Sequence, residues 1–225
     1  MQSLQVVSTS DGSTSVYNPV FDGYYHSRHG AIQESEHVFM AAGLNQLLLQ
    51  QKHINVLEIG FGTGLNALLT YYHARQNGVV IHYTSLEKFP LDESVYTELN
   101  YAAQLQLGEE GQRFFLDLHK EKWNTEVSLR PDFILHKRQM DIQDFSAPEQ
   151  FGLIYFDAFA PTAQPELWSD AVFAAMYHAL RPGGILVTYC AKGEVKRAMK
   201  RAGFTLEALP GPPGKREMTR ALKIL

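Results

Sequence analysis

Cysteine is almost missing from this chain. Cys190 is the sole one among 225 residues, so an internal disulfide framework is excluded and a reducing compartment is the expectation. Long apolar runs are missing too; none approaches the ~18 residues that a membrane-spanning helix requires. The stretch Met1 to Ser15 is polar and rich in Ser and Thr, without the basic start and apolar core of a signal peptide. A cytoplasmic location and no membrane partner follow as expectations. Internal repeats and long low-complexity stretches are lacking, which sets solenoids and arrays aside. His26, His29 and His37 fall close together, but their spacing fits no recognised metal set and no cysteine joins them, so no metal is expected. An overall basic charge is also lacking. The net charge of -4 argues on its face against a nucleic-acid binder.

What is present describes an ordinary globular domain, 45% hydrophobic and 20% charged. A chain of this length buries roughly 70% of its unfolded surface and needs no disulfide or metal staple. The charge, however, is unevenly spread. From Lys192 onward nine basic residues face three acidic ones, a +6 segment on a body of -10. Such asymmetry points to a local anionic partner, or else to the solvated face of a helix carrying Lys196, Arg197, Lys200 and Arg201.

Short apolar runs alternate with helical patterns, the mark of an α/β fold with a mostly parallel sheet. Strands are expected at Ile54 to Ile59, Val79 to Leu86, Phe133 to Leu135, Phe151 to Phe156, Ile185 to Tyr189 and Phe204 to Leu209. Thr219 to Leu225 closes the sheet as an antiparallel edge. Helices are expected at Leu65 to Arg75, Leu91 to Leu105, Leu167 to Leu180 and Glu194 to Ala202. Arg181-Pro182-Gly183-Gly184 stops the third of these. Residues 1–50 read as an extension with short strands and one helix, Glu36 to Gln50, packed on a domain spanning 51–225.

The chemistry concentrates after the first of these strands. Glu58-Ile-Gly60-Phe-Gly62-Thr-Gly64 joins it to a helix, where glycines permit a tight turn and close approach of a ligand to the helix N-terminus. A dinucleotide fingerprint wants Gly-x-Gly-x-x-Gly, and its third glycine would fall at Leu65. The spacing found instead resembles the Glu/Asp-x-Gly-x-Gly-x-Gly loop of Rossmann-like methyltransferases that bind S-adenosylmethionine (SAM). Glu87 ends the next strand, placed for both ribose hydroxyls. Asp141 follows the third strand, where such enzymes set a group on the adenine amine. Asp157 ends the fourth. Ligands of open parallel sheets lie outside the carboxyl ends of strands, and all four features fall there. Each carboxylate alone reads as a solvated loop residue; together they do not.

Several stretches are more specific. Phe61-Gly62-Thr63-Gly64-Leu65-Asn66, Ser85-Leu86-Glu87-Lys88-Phe89-Pro90, Asp157-Ala158-Phe159-Ala160-Pro161, Arg181-Pro182-Gly183-Gly184 and Gly214-Lys215-Arg216-Glu217-Met218 resemble the MnmC-type tRNA wobble-uridine methyltransferases. Tyr25-His-Ser-Arg-His-Gly30, Glu34 and Val38-Phe39 extend the likeness, which runs from about residue 17 to the end; Gly108 to Arg130 carries none of it. The resemblance implies a seven-stranded Rossmann-like class I methyltransferase sheet, helices on both faces, and SAM as cofactor. It implies methyl transfer to the primary amine of 5-aminomethyl-2-thiouridine at the wobble position of tRNA. Bifunctional members append a flavin-dependent oxidase; this chain stops where that domain would begin, so a stand-alone methyltransferase without it is expected. The cofactor set carried over is Glu58, Gly60, Gly62, Gly64, Asn66, Glu87, Lys88, Asp141 and Asp157.

Amine methylation is an in-line displacement that needs a neutral nitrogen, so a group must orient the amine and accept its proton. Asp157 is the candidate; the competing reading has it only shaping the cofactor pocket or capping the loop before Pro161. Phe159 and Pro161 form a substrate wall or plain core. Phe21, Tyr24 and Tyr25 offer faces for a flipped base, or pack as core. Glu34 meets the amine or a helix N-terminus, and Lys215 and Arg216 meet phosphate or form a basic hairpin tip. The other readings of the same residues are a small-amine methyltransferase, an aminopropyltransferase, and a SAM- or tRNA-binding module without catalysis. The intact acidic set speaks against the last, and the basic C-terminal segment favours tRNA. The oligomeric state is not legible.

Overall fold

Side-chain parity along the central strands decides which face each helix covers. In the computed structural model, which describes residues 3–224, β4 (His53–Ile59) sends Ile54 and Val56 to one side of the sheet and Leu57 and Ile59 to the other. β8 (Phe151–Phe156) is buried throughout and divides in the same way, Leu153 and Tyr155 opposite Ile154 and Phe156. Strands buried on both faces read as continuous apolar runs, as these do.

β5 (Val80–Glu87) and β8 flank β4 in parallel, β7 (Phe133–Gln139) continues beyond β5, and β9 (Leu180–Thr188) lies beyond β8. The full order is β10-β11-β9-β8-β4-β5-β7-β6, with β6 (Thr125–Arg130), β10 (Thr205–Pro210) and β11 (Glu217–Leu222) antiparallel to their neighbours. The direction of winding reverses between β4 and β8, which opens a crevice at their carboxyl ends. A continuous helix α1 (residues 31–48), widened to π geometry over Glu36–Leu44, covers one face together with α2 (Leu65–Gln76) and α3 (Gly108–Lys120). α4 (Asp170–Ala179) and α5 (Gly193–Ala202) cover the other. No helix among the described residues is long and apolar enough to cross a membrane.

A small antiparallel sheet of β1 (Gln5–Ser8), β2 (Thr14–Asn18) and β3 (Gly23–Tyr24) precedes α1. Gly30, at the start of α1, has no side chain to cap it, so the orphan N–H groups are met from the β1–β2 turn. Gln33 N–H donates to Asp11 Oδ2 at 3.0 Å and Ala31 N–H to Ser13 Oγ at 3.2 Å. Asp11 Oδ1 in turn accepts from the hydroxyls of Thr9 and Ser13.

The structure departs from the sequence reading in five places. The sheet has eight strands rather than seven, because residues 108–130 supply α3 and the extra edge strand β6. β11 is antiparallel but interior; α5 carries the chain to the outermost strand β10, and the hairpin brings it back against β9. The helix expected over Leu91 to Leu105 is two short turns, Glu93–Tyr96 and Tyr101–Gln104. Between them Asn100 turns to the N-terminal sheet, accepting from Thr14 N–H at 2.9 Å and donating to Gly12 O at 2.9 Å. The helix expected over Leu167 to Leu180 starts only after Ser169, whose Oγ caps Val172 N–H, and it ends at Ala179; Arg181 to Gly184, expected to stop it, lies just beyond as a bulge in β9. The expected first helix, Glu36 to Gln50, begins at Ala31 instead. Met1, Gln2 and the expected strand end at Leu225 lie outside the described residues.

Because Asp11 organises the remote cap, Asp11→Ala should lower stability by about 1–2 kcal/mol. That is a fall in Tm of roughly 2–8 °C for a domain of this size, read by calorimetry.

Candidate active site

The crevice between β4 and β8 widens into a cavity of about 850 Å³, roofed by residues 20–28 and Glu34 and bordered by Lys215. The loop from β4 to α2 forms its floor. Gly60 and Gly62 have φ of +89° and +48°, in the left-handed region. A Cβ on Gly60 would stand 2.9 Å from the carbonyl oxygen of Asp157, and one on Gly62 would stand 2.9 Å from the Tyr25 ring. Glycine is therefore required twice: by the backbone angle and by the close approach of β8 and β3.

Glu87, at the end of β5, fixes this loop. Its Oε2 accepts from Gly62 N–H at 3.1 Å and its Oε1 from Phe89 N–H at 2.8 Å. A carboxylate has about four acceptor sites, so half remain for a ligand hydroxyl. Burial raises its pKa above the usual carboxylate value. Across the mouth, Asp141 Oδ2 accepts from Lys88 Nζ at 2.8 Å and Oδ1 from Gln143 N–H at 3.0 Å. Those contacts, the ammonium first, hold Asp141 below its ordinary pKa.

Asp157 leaves β8 facing the cavity. Asn66 Nδ2, in the first turn of α2, donates to Asp157 Oδ2 at 2.9 Å. Asn66 Oδ1 is buried and has no partner among the described residues. Burial, aided by the nearby Glu34 carboxylate, pushes Asp157 up to about 7. Glu34, on α1, is buried; it accepts from Ser27 N–H at 2.7 Å and from Lys215 Nζ at 2.6 Å. Lys215 Nζ also stands 3.8 Å from the centroid of the Tyr189 ring. Tyr25 meets Phe159 edge-on at 4.9 Å, and the Phe21 ring lies 5.0 Å from that of Phe159.

Of the residues expected from sequence, the structure brings Gly60, Gly62, Asn66, Glu87, Lys88, Asp141, Asp157, Tyr25, Glu34, Phe159 and Lys215 to this one cavity. Four others do not line it. Glu58 shares its side of the sheet with Val56, so its side chain points beneath α2; it is fully buried, accepts from Ser85 Oγ at 2.7 Å, and burial raises it to about 8. Gly64 precedes α2 and faces His119, Pro161 is buried, and Arg216 is exposed.

The sequence reading missed the supports. Thr63 is gripped from both sides: its Oγ1 shares a 2.7 Å hydrogen bond with His26 Nε2, and its carbonyl accepts from His119 Nε2–H at 3.1 Å. Burial lowers these histidines to about 4 and about 3, so both are neutral near pH 7. The three N-terminal histidines do not converge, since His37 bonds Pro210 O and His29 packs on Gly214. Among the described residues no cluster of His, Cys, Asp and Glu is placed to hold a metal ion. Nor is the basic segment uniformly free. Lys196, Arg201, Lys215, Arg220 and Lys223 pair with Glu217, Asp170, Glu34, Glu207 and Glu149, which leaves Lys192, Arg197, Lys200 and Arg216 exposed without an ion pair among the described residues.

Comparison with known proteins agrees with this geometry. Residues 113–224 match a family described as S-adenosyl-L-methionine-dependent methyltransferase. The chain is 33% identical over 218 residues to the tRNA 5-methylaminomethyl-2-thiouridine biosynthesis bifunctional protein MnmC of Cupriavidus necator, covering 91% of this chain and 32% of that one. It thus spans about a third of the length of the curated relatives it matches. The crystal structure of MNMC2 from Aquifex aeolicus superposes with a TM-score of 0.80 at 23% identity, over 98% of this chain and 70% of that one. Spermidine synthase of Thermotoga maritima shares the fold more distantly, with a TM-score of 0.52 at 14% identity, over 97% and 72%. The chain belongs to the S-adenosyl-L-methionine-dependent methyltransferases.

Proposed function

We propose that this protein transfers a methyl group from SAM to the aminomethyl amine of 5-aminomethyl-2-thiouridine at the wobble position of tRNA. The observation that carries this reading is Asp157, a carboxylate raised to about 7 that faces the cavity floored by the glycine loop. A base poised near the working pH suits removal of a proton from an alkylammonium.

The residues fit the cofactor on two counts. Gly60 and Gly62, without side chains, turn bare backbone to the cavity, and Asn66 Oδ1 is a buried acceptor with no partner among the described residues. SAM supplies a methyl group made electrophilic by its sulfonium. Glu87 keeps acceptor capacity for the ribose diol while its other sites hold the loop, and Asp141, steadied by Lys88, is set for the adenine amine. Tyr25 and Phe159 offer aromatic walls to a base swung out of its stack. Exposed Lys192, Arg197, Lys200 and Arg216 suit phosphates, which position without reading sequence. Asn66 orients Asp157 toward the incoming nitrogen. Asp157 would take one proton from the ammonium, which leaves a neutral nitrogen whose lone pair is free for the methyl group that bound SAM would supply.

Four measurements bear on this. With labelled SAM, tRNA carrying the aminomethyl group should gain label while tRNA lacking it should not; label on neither, or on free polyamine, overturns the reading. Asp157→Ala should retain SAM binding yet lose at least a hundredfold in kcat/KM, the usual scale of an acid–base group. In the wild type, kcat/KM should fall tenfold per pH unit on the acid side of a limb at about pH 7, because protonated Asp157 accepts nothing. For the cofactor site, Gly60→Ala and Gly78→Ala both place alanine at positive φ, costing roughly 1–2 kcal/mol each. Nothing lies within 4 Å of a Cβ on Gly78, so only Gly60→Ala should also lose SAM binding in equilibrium dialysis.

A further inference from the structure

One ammonium already sits inside the cavity. Lys215 Nζ lies 2.6 Å from Glu34 Oε1 and 3.8 Å from the Tyr189 ring centroid. The two groups that hold it are rigid. Glu34 has a side chain only 7% exposed and its other oxygen is bonded to Ser27 N–H. Tyr189 donates its hydroxyl to Ala158 O at 2.8 Å, which locks the ring. A fixed carboxylate beside an aromatic face is the chemistry that recognises an alkylammonium ion. The cation is the loose member: its side chain is 34% exposed, on a flexible stem from the loop between β10 and β11.

We propose that Glu34 and Tyr189 form an alkylammonium subsite in which Lys215 is a stand-in, and that the acceptor amine enters as its ammonium and takes the place of Lys215. The proposal rests on the amine-methylation reading above. Exchange of one ammonium for another preserves charge balance, so buried Glu34 is never left bare, a state that costs heavily. A neutral hydroxymethyl group of the same size offers no charge to Glu34 and cannot displace Lys215. The subsite thereby selects amine over alcohol. It also sets the amine in the cavity that Asp157 faces. Lys215, once displaced, joins the neighbouring exposed Arg216 as a second cation for the phosphates of an incoming polyanion.

The test measures binding without methyl transfer, by titration calorimetry of the full chain with propylammonium and with propanol. Lys215→Met empties the subsite, and propylammonium should then bind roughly tenfold or more tighter than to the wild type, with no gain for propanol. Lys215→Gln, which keeps length and polarity, is measured alongside and should show the same gain. Lys215→Met/Glu34→Gln should lose it. No gain in either single variant, or an equal gain for propanol, overturns the subsite. If ammonium binding rises but aminomethyl tRNA is never methylated, the functional reading falls and the subsite stands. If the tRNA is methylated with no such rise, the subsite alone falls.

Discussion

Glu34, Glu87 and Asp157 converge on one cavity with Glu58 behind them, and the cost of holding carboxylates away from water is the constraint around which the structure is organised. Each is answered differently. Glu87 takes two backbone N–H groups, Glu34 takes an ammonium, and Asp157 takes the amide of Asn66. Glu58, the most deeply buried, has a pKa of about 8 and so is held neutral near pH 7, with Ser85 on one oxygen. These answers come from β4, β5, α2, α1 and the last hairpin, so the electrostatics of the site tie together most elements of the fold.

The parts legible in the sequence were those specified locally. A strand ending in closely spaced glycines announces its own turn, and carboxylates at strand ends follow from strand boundaries alone. Glu58 misled because the side of the sheet a residue faces depends on parity, and one position separates the cavity from the space beneath α2. Asn100 broke an apparently helical stretch for a reason lying 86 residues away, at Thr14. The paired cations of the C-terminal segment likewise have partners as distant as Glu34 and Asp170, which no local pattern reveals. Net charge misled in the first instance, its uneven distribution in the second: five of the nine basic side chains that suggest a polyanion surface are engaged within the protein.

The extension before the sheet and the stretch 108–130 had the least readable sequences, and both converge on Thr63. His26 and His119 hold that residue from opposite directions, and burial keeps each neutral near pH 7. Buried polar groups that are fully satisfied rigidify what they touch, and here they touch the loop that has to be in position before any ligand arrives. Peripheral additions to a Rossmann-like core therefore act on its glycine loop from outside.

The bond between Glu34 and Lys215 spans 181 residues of chain. Contacts of such separation form late, since loop-closure entropy must be met before they contribute. During synthesis the parallel strands can assemble while the hairpin of β10 and β11 is still unmade. A nascent chain in that state has a glycine loop and an open crevice but no border at Lys215. Competence is thus withheld until the hairpin of β10 and β11 has been translated, and a product cut short before it would have a sheet without a finished reaction chamber.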